Sequence, residues 1–244
     1  RATLDRSSAA SDVYKRQVWA HHMFTTGLGP WANGAFAATT MAIAVPTGVK
    51  IFNWLATMWR GSMTFETPML YAISAVALFT VGGLTGVMMA ITPADFQYHD
   101  TYFIVAHFHY VIFCGSVLSM FGAVYYWLPK WTGHMYNETL GKWHFWLTVI
   151  AFNVTFFPQH FLGFAGMPRR IPDYAQQFTE FNMVSSIGAF VLGFSQILLL
   201  INVVRTIKAG QQASDQVWEG AEGLEWTLPS PTPYHTFATP PKVG

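Results

Sequence analysis

From Thr101 to Pro129 the chain contains no Asp, Glu, Lys or Arg, yet it carries two histidines, His107 and His109, spaced i, i+2. A run this long and this apolar crosses about 30 Å of hydrocarbon as a helix, which needs roughly 20 residues at about 1.5 Å each. Successive helical residues turn by about 100°, so the two imidazoles point roughly 200° apart. One metal ion cannot use both. A helix buried between two separate cofactors can give one histidine to each, and burial of two imidazoles among apolar residues requires that each find a partner.

Four further segments share this character: Asn33 to Trp59, with a single charge at Lys50; Thr67 to Ala94; Trp143 to Met167; and Phe181 to Val204, the last three uncharged. The composition agrees, with 52% hydrophobic and only 10% charged residues, against about 25% charged in soluble domains. The expected fold is all-α, a polytopic transmembrane bundle of five spanning helices, because only helices and closed barrels satisfy their backbone groups inside lipid. Glycines and Pro46 within the runs do not argue against this. Net charge +1 without a basic patch excludes a nucleic-acid partner. The lone Cys114 excludes a disulfide framework and reads as a small core residue.

Residues 1–17 are polar and rich in Ser and Ala, and their character breaks at Val18. They read as a disordered leader foreign to the fold, with no apolar region of a signal peptide. Five spans place Arg60, Lys130, Lys142, Arg205 and Lys208 on one side, the inner one by the positive-inside rule. The His21–His22 pair, Asp95, Asp100 and the Arg169–Arg170 pair fall outside. Two basic residues on the outer side suggest an anionic partner. Residues 209–244 read as an irregular, solvated, Pro-rich tail.

His21 and His22 are candidate copper ligands, as neutral imidazole suits that metal; a polar pair at a membrane interface is the bland alternative. Lys50 lies about two turns from the inner end of its span, within reach of snorkelling. Thr47, three residues earlier on nearly the same face, offers a hydroxyl to a water chain. His134, His144 and His235 read as ordinary residues of loops or helix ends, and His160 as a hydrogen-bonded structural residue. Trp143 and Trp146 are candidate interfacial anchors.

Taken in order, Val-Trp-Ala-His21-His22-Met, Ala-Val-Pro-Thr47-Gly-Val-Lys50, His99-Asp100-Thr-Tyr, Ala-His107-Phe-His109-Tyr-Val, Phe-Phe-Pro-Gln-His-Phe-Leu-Gly and Gly-Met-Pro-Arg169-Arg170 resemble the C-terminal portion of subunit I of haem-copper terminal oxidases, on the cytochrome c oxidase branch. The resemblance runs from Val18 to the C-terminal region and implies the last five spans of a twelve-helix subunit.

By that resemblance, His21 and His22 are two ligands of copper B, His107 the axial ligand of haem a3, and His109 an axial ligand of haem a. Phe108 lies near both haems. His99 and Asp100 are ligands of a magnesium ion, an uneven donor pair for a cation that prefers oxygen. Arg169, Arg170 and Asp95 attend the haem propionates, and Thr47 and Lys50 belong to a proton pathway from the inner side. The implied activity is reduction of dioxygen to water with electrons from cytochrome c, coupled to proton translocation. Implied partners are subunits II and III, cytochrome c, dioxygen and membrane lipid, in a bacterial cytoplasmic or mitochondrial inner membrane. The third copper ligand, the second haem a ligand, a cross-linked tyrosine and the carboxylates of another proton route lie upstream of Val18 in the family, so this stretch alone is expected to be inactive. A quinol oxidase of the same family, or a di-haem electron carrier without copper, are the competing readings.

Overall fold

A computed structural model describes residues 18–237 and 239–241; the expected foreign leader lies outside them. Among the described residues five helical stretches are long and apolar enough to cross a membrane: 30–58, 67–90, 102–132, 138–164 and 176–209. The chain is an integral membrane, all-α bundle, and each expected span is present with its ends moved by a few residues.

The first span is two helices, α1 (Pro30–Ala42) and α2 (Ala44–Met58), broken at Ile43. Pro46 has no N–H to give to the Ala42 carbonyl four residues back, and at the same break the Ile43 amide donates to the Thr40 carbonyl, three residues back, at 3.1 Å. α3 (Thr67–Ala90) follows, with Pro68 in its first turn, where a missing N–H is harmless. A short outer helix, α4 (Thr92–Tyr98), leads into α5 (Tyr102–Ile112). Thr101 caps α5 by accepting the amide of Phe103 at 3.3 Å.

The histidine span does not run on as a regular α-helix. α5 passes through a wide π turn, Phe113–Leu118, into α6 (Ser119–Thr132). The buried positions Ala106, Tyr110, Cys114 and Leu118 account for it. Three successive four-residue steps overshoot a full α-helical turn by about 40° each, and the wide turn absorbs that drift so the stripe keeps facing the core. α6 stops at Gly133, whose φ of 72° is the left-handed cap position. α7 (Glu138–Phe164) starts at Asn137, which accepts the Leu140 amide at 2.8 Å, and α8 (Thr179–Ala209) ends the bundle.

Small residues let the spans approach, as expected where lipid removes the hydrophobic drive between helices. A Cβ on Gly82 of α3 would lie 2.8 Å from the Tyr110 backbone, and one on Gly188 of α8 would lie 2.6 Å from the Thr155 hydroxyl of α7. The core between α3, α6 and α7 is aromatic: Tyr71, Tyr125, Phe145 and Phe152 are buried there. By contrast, only Ala37 is buried in the first span.

Two expectations are corrected. His144 is not at a loop or helix end but fully buried within α7, where the hydroxyls of Tyr71 (2.8 Å) and Tyr125 (3.0 Å) meet its Nδ1. Its neighbours are far away in sequence, which is why the sequence concealed them. The tail is irregular but not simply solvated. β1 (His134–Met135) pairs antiparallel with β2 (Gln211–Gln212), Trp226 and Leu228 are buried, and Lys130, counted above as an inner surface charge, is only 2% exposed. Its Nζ donates to the carbonyls of Asp215 (2.8 Å) and Leu228 (2.7 Å) and lies 5.2 Å from the Trp226 ring. A buried ammonium needs such acceptors, and here the tail brings them.

Candidate metal and haem centre

The two histidines of α5 meet different helices. His107 turns to α3: its Nδ1 lies 3.0 Å from the Gly82 carbonyl and 3.0 Å from the Thr85 hydroxyl, itself bonded to Gly82. A Cβ on Gly86 would come within 2.9 Å of His107 Cε1, so the glycine makes room for the ring. His109 turns to α7, stacking on Phe156 with centroids 3.9 Å apart, while its Nδ1 sits 2.8 Å from the Val105 carbonyl. A carbonyl only accepts, so each Nδ1 carries the proton and donates it, leaving the Nε2 lone pair of each ring available.

His21 and His22 lie in a short 3-10 turn, Trp19–Met23, before the first span. Their Nε2 atoms are 3.0 Å apart, and the Thr40 hydroxyl lies 3.3 Å from His21 Nδ1. Burial, reinforced by His22, lowers His21 to a pKa of about 4, and burial with the nearby Arg169 and His99 lowers His22 too. Both rings are therefore neutral at physiological pH, the form that binds metals.

The loop before α8 is clamped to the start of α5. Tyr102 donates its amide to the Met167 carbonyl at 3.0 Å and Arg169 donates its own to Asp100 at 2.9 Å. Arg169 Nε also donates to Asp100 Oδ1 at 2.7 Å, while Asp100 Oδ2 faces His99 Nε2 at 3.3 Å. Burial pushes the Asp100 carboxyl up, but the Arg169 hydrogen bond and charge, with the charges of His99 and Arg170, together outweigh it and hold the carboxyl below the usual range. Asp100 and Arg170 occupy left-handed backbone, φ 53° and 61°, a conformation sparsely used outside glycine. Asp95 is buried, its Oδ2 has no hydrogen-bond partner and lies 3.8 Å from His99 Nδ1, and burial raises its carboxyl to about 6. Arg170 itself is exposed.

Residues 13–191 match the family model for cytochrome c and quinol oxidase polypeptide I. The chain belongs to this family. It is 55% identical over 93% of its length to cytochrome c oxidase subunit 1 of Alkalihalophilus pseudofirmus and 50% identical over 92% to that of Cereibacter sphaeroides. It is 46% identical over 97% to quinol oxidase subunit 1 of Bacillus subtilis. It spans 36%, 40% and 37% of those proteins' lengths. A cryo-EM structure of a haem-copper terminal oxidase dimer shares the fold, with a TM-score of 0.68, 19% identity, and coverage of 79% of this chain and 39% of that one.

Membership of the oxidase polypeptide I family implies haem and copper, and the donors here fit both. Each α5 imidazole presents an unprotonated Nε2 held by a hydrogen bond from its other nitrogen, the arrangement that orients metal-bound histidine. The 3.0 Å between the Nε2 atoms of His21 and His22 is the separation of two nitrogens on one ion at about 2.0 Å. Among the described residues no three His, Cys, Asp or Glu side chains converge on one point. His99 and Asp100 set one imidazole and one carboxylate side by side, with Asp100 Oδ1 taken by Arg169 and Oδ2 facing His99 Nε2.

Thr47 and Lys50 share α2 away from these groups. The Thr47 hydroxyl donates to the Ile43 carbonyl at 2.9 Å, beside the helix break, and Lys50 is half-buried. His160, read above as structural, is buried in α7 with Nδ1 3.2 Å from the Phe157 carbonyl, and its Nε2 has no partner. The tautomer of each α5 histidine and the Arg169–Asp100 pair were beyond sequence reasoning. Gly82 and Gly86, four residues apart, were the signal available for the first.

Proposed function

We propose that this chain is the C-terminal part of the catalytic subunit of a cytochrome c oxidase, which reduces dioxygen to water with electrons from cytochrome c and couples this to proton translocation. The shared Nδ1–H tautomer of His107 and His109, on rings that face different helices, carries the reading: one helix offers a ligating nitrogen to each of two sites, toward α3 and toward α7. Higher identity to cytochrome c oxidase subunits than to quinol oxidase subunits supports the donor. When bound, the haems and copper B supply electron transfer and dioxygen reduction.

The chain's own residues supply ligands, charge and protons. His107 holds haem a3, His109 holds haem a, and His21 with His22 holds copper B. Phe108 sits between the two haem sites. Arg169 and Arg170 present guanidinium groups toward haem propionates, Arg169 while also fixing Asp100. Asp95, whose carboxyl burial raises to about 6, would share a proton or a water with that anionic region, because two bare carboxylates would repel. His99 and Asp100 give donors to magnesium at the outer surface. Lys50 and Thr47 pass protons inward from the inner side. Subunits II and III complete the assembly, and the bacterial relatives favour the bacterial cytoplasmic membrane.

The test is made in the full-length subunit within its complex. His107→Ala abolishes the carbon-monoxide-binding haem and spares the low-spin one, and His109→Ala does the reverse. Both haems surviving either change would refute the assignment. Oxidation of cytochrome c but not of quinol by the intact complex identifies the donor; the reverse result makes this a quinol oxidase, and absence of copper makes it a di-haem carrier.

A further inference from the structure

The face that α3 turns to His107 is made of Gly82, Thr85 and Gly86, spaced i, i+3, i+4. The glycines make room: a Cβ on Gly82 would lie 2.8 Å from the Tyr110 backbone, and one on Gly86 would lie 2.9 Å from His107 Cε1. Thr85 is the polar member of the face. Its hydroxyl donates to the Gly82 carbonyl at 2.8 Å, and its oxygen lies 3.0 Å from His107 Nδ1, which is also 3.0 Å from that carbonyl. The one hydroxyl proton is thereby committed to the carbonyl, so toward the ring Thr85 offers a lone pair, and the Nδ1–H faces two acceptors. Thr47, Thr57 and Thr80 instead donate to the carbonyl four residues back. Thr85 reaches three back, to the carbonyl that His107 uses. His109 Nδ1, by contrast, donates within its own helix, to the Val105 carbonyl at 2.8 Å.

We propose that Thr85 is a positioning residue for His107: its hydroxyl is the second acceptor of the Nδ1–H and sets both the orientation of the ring and the electron-donating strength of Nε2. The inference rests on the assignment of His107 to haem a3. The Gly82 carbonyl has two lone pairs, so it receives the hydroxyl and the imidazole together, and losing the hydroxyl frees no better acceptor for the ring. A hydroxyl that has given its proton to a carbonyl is itself a stronger acceptor, because chains of hydrogen bonds polarise one another. Two acceptors draw the Nδ1 proton away from the ring more than one does. That raises the basicity of Nε2 and favours ferric over ferrous iron, the way hydrogen bonds behind a metal-bound histidine tune its metal. Acceptors at two points on α3 also hold the ring plane more tightly than one.

The test uses the full-length subunit in its complex, with Thr85→Val, which keeps the side-chain shape and removes the hydroxyl, and Thr85→Ser, which keeps the hydroxyl. In Thr85→Val the iron–histidine stretching band of the carbon-monoxide-binding haem, read by resonance Raman spectroscopy of the reduced enzyme, moves to lower frequency and broadens. The midpoint potential of that haem rises, while the low-spin haem keeps its own. Thr85→Ala, which removes the hydroxyl without adding a methyl group, gives the same shifts, and Thr85→Ser holds both readings at wild type. A band and potential unmoved in both hydroxyl-free variants overturn the proposal, as does a shift that serine shares, which marks a packing effect of the methyl group. His107→Ala separates this from the assignment beneath it. Retention of the carbon-monoxide-binding haem there refutes the assignment, whereas its loss beside an unmoved Thr85→Val refutes the role of Thr85 alone.

Discussion

His107 Nδ1 and the carbonyl oxygen of Gly82 lie 3.0 Å apart across the contact between α3 and α5. The bond sets which nitrogen of the ring is free, and the glycines of α3 set how near the ring can stand. Gly86→Val puts a side chain where a Cβ alone already comes within 2.9 Å of His107 Cε1. In the complete enzyme this displaces the ring and lowers turnover about 10- to 100-fold, the usual effect of disturbing a ligand's support. Optical spectra should show loss confined to the carbon-monoxide-binding haem. Equal loss of both haems would instead mean that the bundle has misfolded.

Lys50→Met in the complete enzyme removes a protonatable group from α2. Reduction of haem a3 slows sharply in stopped-flow traces, while haem a reduces at its normal rate. Normal haem a3 reduction would remove Lys50, and with it Thr47, from the proton route.

Lys130→Met leaves the carbonyls of Asp215 and Leu228 without their shared donor. An unsatisfied buried polar group costs about 1–3 kcal/mol, so opening of the tail becomes roughly tenfold more frequent or greater, since about 1.4 kcal/mol is a factor of ten. Protease added to the inner face should cut residues 210–231 correspondingly faster. Protection equal to wild type would show that the tail is held by its aromatic contacts alone.

The five spans and the two histidines on different faces of one helix were legible because apolar runs and helical spacing are local properties of a chain. Three things were not. The His144 environment depends on Tyr71 and Tyr125, 73 and 19 residues away, and nothing near position 144 announces them. The tail looked solvated because its anchor, Lys130, reads as a surface charge until its acceptors arrive from residues 215 and 228. The break at Ile43 lies just before Pro46, but proline in a membrane helix does not reveal whether the span bends or separates.

Arg169→Gln frees Asp100 Oδ1 from its 2.7 Å partner and should loosen the loop that brings residues 167–170 against the start of α5. Magnesium content per complex falls about 10- to 100-fold if Arg169 orients Asp100 as a ligand. Undiminished magnesium would assign the arginine to the propionates alone. Asp100→Asn is the companion measurement, expected to lose magnesium while leaving haem content near wild type.

The wide turn at Phe113–Leu118 has a consequence for how such a span can change over time. Ordinarily, gaining or losing one residue inside a membrane helix rotates everything beyond it by about 100° and scrambles every contact. Here that rotation is already built in at a single joint. The outer half, with its two histidines, and the inner half, with Phe121 and Tyr125, are brought into a common phase there. Length variation among homologous spans should therefore concentrate at this joint rather than spread along the helix.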